Sequence, residues 1–390
     1  MKVAIVHDYL IDFGGAERVL LALHEIYPDA PVYVSIYRPD KLGKFKEDFK
    51  NIKIIQSWFG NLPFADILIS PLRFCLPIIW KEFDLSDYDL IIDSSAWAIT
   101  RGFKTKDNQI EICYCHTPPR YIYGFDTSRS WKNKWYGPLI KIYAGFVNEF
   151  LRNYDSKMSQ KVDYFIANSK NVANRIQDFY HKDSVVIYPP VELQSENPVK
   201  TSRLATKSEG ASFYDSNERY FLAGGRLVAA KNFDLIIKAC MKANVKLKIF
   251  GTGILDNELK SLANKNMSKA RATSLVEFLG KVDDKNLYDL YAGASGFIVA
   301  QKDEDFGITA IESQITGTPV IAYRGGGYLE SVIENKTGIF FDELTIDSLS
   351  KAISKFEKIK WNKKTIQDNA KKFSKEKFKQ KIRSFIKKVT

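Results

Sequence analysis

Short apolar runs alternate with amphipathic stretches along the whole chain. Val3–His7, Leu90–Asp93, Ile110–His116, Tyr164–Asn168 and Val185–Tyr188 form a first series of runs. Tyr220–Gly224, Leu247–Phe250, Val276–Leu279, Gly296–Ala300, Val320–Ala322 and Gly338–Phe341 form a second. Near-continuous apolar runs of this length predict strands buried on both faces. Between many of them apolar residues recur at helical spacing, as in Ala16–Ile26, Phe233–Ala243 and Ile308–Thr316. The alternation predicts an α/β protein with parallel sheets covered by helices.

Glu192–Glu218 interrupts this pattern with Ser, Asn, Lys and Glu and no apolar period. The expected organisation is a Rossmann-like domain at 1–192, a linker at 193–218, a second Rossmann-like domain at 219–370 and a basic amphipathic helix at 371–390. A chain of 390 residues suits two domains. In the last segment Phe378, Ile382, Phe385, Ile386 and Val389 fall on one helical stripe among lysines. Such a helix either docks on the protein body with its lysines in water, which is the preferred reading, or anchors on anionic lipid.

Composition narrows the class. The chain contains no unbroken apolar run of membrane-spanning length. Its opening MKVAIVHD reads as a strand and not as a secretory signal. Cys75, Cys113, Cys115 and Cys240 lack zinc or redox spacing, and Cys113 and Cys115 alternate on an apolar strand as buried thiols. A reduced cytoplasm is the expected location. The net charge of +12 is confined: residues 351–390 carry 15 Lys and Arg against 3 Asp and Glu, and the rest of the chain balances. A nucleic-acid binder spreads basic residues over a fold surface or a recognition element, so no nucleic-acid partner is expected.

Several strand ends carry candidate chemistry. Gly14 and Gly15 follow the first strand and open a helix, where backbone approaches a bound anion closely. The pattern is not GxGxxG, which argues against a dinucleotide-dependent oxidoreductase. Arg226 and Lys231 follow a strand of the second series and suit a diphosphate. Gly251 in Phe250-Gly251-Thr252-Gly253 permits close ligand approach or forms a tight turn. In Asp303-Glu304-Asp305-Phe306-Gly307-Ile308, Glu304 lies in a loop and Gly307 exposes amides at a helix start. Glu312, with seven residues between it and Glu304, lies about two turns further on. The two carboxylates suit sugar and ribose hydroxyls, and Phe306 and Ile308 flank the same turn. Asp303 and Asp305 form a D-x-D, yet the surrounding pattern explains the site without a metal. Gly325–Gly327 reads as a flexible loop by the same crevice. His116 ends an apolar strand before Thr117-Pro118-Pro119-Arg120-Tyr121, a position where α/β proteins build ligand sites. Asn168-Ser169 reads as a helix N-cap.

Taken together, these residues resemble GT-B glycosyltransferases of family 4. The resemblance rests on Gly14-Gly15-Ala16-Glu17-Arg18, His116-Thr117-Pro118, Gly225-Arg226-Leu227 with Lys231, and Glu304 and Glu312 followed by Gly317-Thr318-Pro319-Val320. It covers nearly the whole chain and thins over residues 30–85 and 195–218. The HDYL…GGAERV opening with HTPPRY is similar to a subgroup of mannosyltransferases that build lipopolysaccharide O-antigen and capsule. The resemblance implies two Rossmann-like domains facing across a cleft, with the last helix returning to the first domain. It implies a retaining hexosyl transfer that needs no metal or other cofactor. The donor would be a GDP-sugar, best GDP-mannose, or a UDP-sugar, and the acceptor a glycan or polyprenyl-linked saccharide. His116 and Glu304 would be catalytic. Gly15, Arg226, Lys231, Gly251, Phe306, Gly307, Ile308 and Glu312 would bind the donor. Arg120 and Tyr121 would face the acceptor. Tyr123-Gly124-Phe125-Asp126 departs from the family, whose members often carry a Trp-Asp pair there.

Aromatic residues among lysines in Trp131–Tyr154 add an anionic membrane surface as a further expected partner, on the inner face of the cell membrane. Two other readings share the pattern: a UDP-sugar 2-epimerase, and a sugar-nucleotide-binding scaffold without activity.

Overall fold

The computed structural model describes residues 1–125, 137–192, 219–265 and 275–390. The expected linker at 193–218 lies outside them. The chain forms two compact units, one of Met1–Pro190 with Lys375–Thr390 and one of Val191–Ser374.

The first unit holds a parallel sheet of seven strands: β1 Val3–His7, β2 Val32–Val34, β3 Ile54–Gln56, β4 Leu90–Ser95, β5 Ile110–Cys115, β6 Tyr164–Ala167 and β7 Ser184–Val186. Their spatial order is β3-β2-β1-β4-β5-β6-β7. The chain runs outward from β1 to β3 and then crosses to β4 on the other side of β1. The end of β1 beside β4 is therefore a topological switch point, where α/β sheets open a ligand crevice. Register places His7 opposite Ser94 and Ser95 opposite Cys115. β2 and β3, three residues each, escaped the sequence reading; runs so short carry little periodicity.

Apolar layers cover both faces of this sheet. One contains Ile5, Leu20, Ile92 and Ile112 together with Phe378, Ile382 and Ile386 of the last helix. The other is built on Val6, Ile91, Trp80 and Leu151. The last helix spans Lys375–Val389; residues 371–373 form a separate 3-10 turn ahead of it, so the expected start at 371 moves to 375.

The second unit holds six parallel strands: β8 Phe221–Gly224, β9 Leu247–Phe250, β10 Val276–Gly280, β11 Gly296–Val299, β12 Val320–Tyr323 and β13 Gly338–Phe341. Their order, β10-β9-β8-β11-β12-β13, places a second switch point between β8 and β11. Two Rossmann-like parallel-sheet units are thus present, and the α/β expectation holds.

Candidate functional site

In the first unit the candidate residues gather at the carboxyl ends of β1, β4, β5 and β6. Gly14 is the N-cap of helix Gly15–His24, so Gly15 occupies its first turn. Glu17, one turn in, accepts a hydrogen bond from the Gly14 amide through Oε2 at 2.7 Å. Its other oxygen, Oε1, lies 3.6 Å from His7 Nε2. His7 Nδ1 is 3.0 Å from Ser94 Oγ, and Ser94 Oγ is 2.9 Å from His116 Nε2. Three neighbouring strands thereby place two imidazoles on either side of one hydroxyl. Burial, reinforced by His7, depresses the His116 pKa to about 3 and keeps the ring neutral at ordinary pH.

Side-chain hydrogen bonds hold this corner. Asn168 Nδ2 donates to the His116 carbonyl at 2.7 Å, and Arg175 donates to Thr117 Oγ1 at 2.9 Å. Ser169 caps helix Lys170–Tyr180, accepting from the Val172 amide at 3.1 Å. Asp8 binds the amides of Ala96 and Trp97; burial pushes its carboxyl up, against the pull of His7 and those amides. Of the acceptor-side candidates, Arg120 is half-buried, and the Tyr121 hydroxyl is buried with no partner among the described residues. The Tyr121 ring lies 5.3 Å from that of Trp97. Tyr123 is structural: it stacks on Phe179 at 4.2 Å and donates to Asp155 at 2.9 Å. Asp126 lies outside the described residues.

In the second unit the chain leaves β8 at Gly225, where a Cβ would lie 3.0 Å from Lys231 Nζ. The ammonium thus sits over bare backbone at the strand end. Arg226 is exposed beside it. Asn232 Nδ2 donates to the Ala300 carbonyl at 2.7 Å and closes the loop across the switch point. A Cβ on Gly251 would lie 1.9 Å from the Gly225 carbonyl, so the approach of its own chain accounts for this glycine.

Glu304 is half-buried after β11, and the Tyr328 hydroxyl donates to its Oε2 at 3.3 Å. Gly307 caps helix Ile308–Ile315 at φ +90°, leaving first-turn amides at Ile308 without intrahelical acceptors. Glu312, buried in that helix, accepts from the Tyr291 hydroxyl at 3.2 Å. The Phe306 side chain departs from its expected role. It is 2% exposed and packs 5.2 Å from Phe373, so only its backbone is placed to meet a ligand. The Gly325–Gly327 loop, expected to be flexible, is pinned: the Gly327 amide donates to the Glu304 carbonyl at 2.8 Å. Among the described residues no three His, Cys, Asp or Glu side chains cluster for a metal.

His7 and Ser94 were not singled out from sequence; Glu17 entered only within the glycine motif and Asn168 only as part of a helix cap. His7, Ser94 and Asn168 each sit at or beside a strand's carboxyl end, which was the available signal.

Residues 13–195 match the family described as Glycosyltransferase Family 4, and residues 206–373 match Glycosyl transferases group 1. An uncharacterized glycosyltransferase of Methanocaldococcus jannaschii is 26% identical over 55% of this chain, and the match spans 55% of that relative's length. Alpha-1,3/1,6-mannosyltransferase ALG2 of Dictyostelium discoideum is 26% identical over 100% of this chain and 98% of its own length. Among solved structures, Anabaena HepE in complex with UDP-glucose superposes with a TM-score of 0.66 at 16% identity, covering 100% of both chains.

Proposed function

Because the chain belongs to the family 4 glycosyltransferases of GT-B fold, we propose that it is a retaining, metal-independent transferase that moves mannose from GDP-mannose onto a lipid-linked or polysaccharide acceptor in cell-surface glycan synthesis. The observation that carries this reading is the carboxyl edge of the second sheet. There Lys231 lies over bare backbone at the end of β8, and Glu304 and the amide-bearing turn at Gly307 follow β11. Cations and helix amides meet the charge of a departing diphosphate without a metal ion.

In this mechanism Arg226, Lys231 and the amides at Gly307 and Ile308 hold the diphosphate. Glu304 binds the transferred sugar and Glu312 the ribose. By the family's pattern, Gly15 serves the diphosphate and neutral His116 the developing positive charge of the sugar. The acceptor oxygen attacks the anomeric carbon from the side the phosphate leaves, and the leaving phosphate takes its proton. Configuration is retained with no enzymic nucleophile. Mannose rests on likeness to the ALG2 enzymes. A second reading, a UDP-hexose donor, is favoured by the likeness to a structure holding UDP-glucose.

For the acceptor we propose a lipid-linked glycan at an anionic membrane surface. Segments 64–78 and 139–150 of the first unit are stitched together by bonds from Arg73 to Asn148 and from Tyr143 to the Pro71 carbonyl. Together they expose Phe64 (72%), Ile67 (61%), Ile78 (62%), Leu139 (66%), Ile142 (61%) and Phe146 (75%). Exposed apolar side chains gathered on two joined segments suit a binding face. Trp131, Trp135 and Tyr136 of the expected aromatic segment lie outside the described residues. No described helix is long and apolar enough to cross a membrane.

A thermal-shift series with GDP, UDP, ADP and their sugars tests the donor, with and without a chelator. At a hundred times its dissociation constant the true ligand adds about 2.7 kcal/mol of stability. A rise with GDP-mannose, unchanged by chelator, is expected, with turnover lost in Glu304→Ala. A rise with UDP-sugars alone supports the second reading, and no rise with any nucleotide overturns both.

A further inference from the structure

Four side chains of the first unit form a continuous polar line: Glu17, His7, Ser94 and His116, with the contacts given above. All four are nearly inaccessible, at 6%, 1%, 0% and 8% exposure, so water does not substitute for the members. A serine hydroxyl has one proton, and between two imidazole nitrogens it donates to one and accepts from the other. While both imidazoles are neutral, the line has two states. In one, Ser94 donates to His7 Nδ1, His7 carries its proton on Nε2, and His116 donates from Nε2 to Ser94, leaving Nδ1 as a lone pair. In the other every proton is reversed, and His7 aims a lone pair from Nε2 at the Glu17 carboxylate.

The carboxylate selects between them. His7 Nε2 is buried, has no hydrogen-bond partner among the described residues and lies 3.6 Å from Glu17 Oε1. A lone pair facing that anion in a buried pocket is repelled, whereas an N–H is attracted. We infer that Glu17 is a positioning residue which, through His7 and Ser94, sets the tautomer of His116 with Nε2 protonated and Nδ1 as the acceptor. Among the described residues His116 Nδ1 makes no hydrogen bond, so this acceptor is what the ring offers a substrate. The same carboxylate binds the Gly14 amide through Oε2. One residue thus shapes the glycine turn and fixes the proton on a histidine two strands away. Ser94 and His7 act as relay members and need touch no substrate. The inference rests on the reading of His116 as a site residue only for its catalytic consequence; the tautomer itself is a property of the free protein.

Nitrogen-15 NMR of histidine-labelled protein, without substrate, reads the tautomer directly, and His116→Gln and His7→Gln variants assign the signals. The expected wild-type result is a neutral His116 protonated on Nε2. Glu17→Gln keeps an oxygen for the Gly14 amide and turns an NH2 toward His7. It is expected to reverse the line, moving the His116 proton to Nδ1. In Ser94→Ala the link is cut, so Glu17→Gln added to it should leave His116 unchanged. If Glu17→Gln fails to fold, Ser94→Ala alone decides: loss of the single Nε2–H form is expected, and an unaltered tautomer overturns the relay. A wild-type His116 protonated on Nδ1, or one unmoved in folded Glu17→Gln, also overturns it. In transfer assays Glu17→Gln is expected to lower kcat about tenfold or more, with donor KM changed less than about twofold. An altered tautomer with unaltered kcat would leave the relay standing and remove His116 from the proposed chemistry.

Discussion

At Gly307 two demands coincide. The backbone sits at φ +90°, and a Cβ would lie 2.8 Å from the Tyr328 ring, whose hydroxyl bonds Glu304. Gly307→Ala is expected to lose about 1–2 kcal/mol from the left-handed backbone and a further increment from displacing the ring. Gly124, at φ +81° with nothing near its would-be Cβ, is the control. Its alanine variant should lose the backbone part alone. Equal losses in urea melts of the two variants would refute the packing argument. The residue scale is also where sequence reading was least complete. Glu304, Glu312, Arg226 and Lys231 stand out by charge and spacing, and each falls at or near a strand end or helix start of the second unit. Phe306 does not reveal its direction, because whether an aromatic beside a glycine turn faces a ligand or Phe373 depends on a residue more than sixty positions away.

Among the elements, the last helix shows how a pattern acquires meaning from its partner. Phe378, Ile382 and Ile386 are buried in the first unit, and the Tyr114 ring meets Phe378 edge-on at 5.7 Å. Lys375 and Lys379 reach Glu25 at 3.1 and 2.8 Å. Exposed pairs of this kind contribute little, so the stripe holds the helix. Phe378→Ala is expected to destabilise the first unit by about 3–5 kcal/mol, with a smaller loss for half-buried Phe385. Calorimetry should show the transition of the first unit shifted while nucleotide still stabilises the second. An unshifted transition of the first unit would refute the stripe's role. The stripe was legible from spacing alone, but not the surface it covers.

The basic last helix and a set of exposed apolar side chains belong to the same unit of the molecule. The excess of twelve positive charges lies in residues 351–390; half of it, seven Lys and Arg against one Glu, is in 375–390 of the first unit. The exposed side chains of Phe64, Ile67, Ile142 and Phe146 are on that unit too. Basic residues near an anionic bilayer contribute about 1 kcal/mol each, weakened by salt, while inserted apolar side chains add a part that salt does not screen. Binding to vesicles containing phosphatidylserine is therefore expected at low salt and reduced, not abolished, at high salt. Ile67→Asp with Phe146→Asp should weaken it about tenfold or more and leave the donor thermal shift unchanged. Wild-type protein that stays in solution at low salt would end the membrane reading.

Local sequence determined the strands, the helices between them, and the glycines and charges at their ends, because hydrophobic period, turn chemistry and helix starts are properties of neighbouring residues. Which strands lie side by side is decided by crossovers that span tens of residues. That is why the pairing of β1 with β4, and of β4 with β5, emerges only in the folded chain. His7, Ser94 and His116 are 87 and 22 positions apart along the chain and within hydrogen-bond reach in space. A proton shared along such a line has no trace in spacing, since the hydroxyl that connects the rings is an ordinary serine until tertiary structure sets a histidine on each side of it.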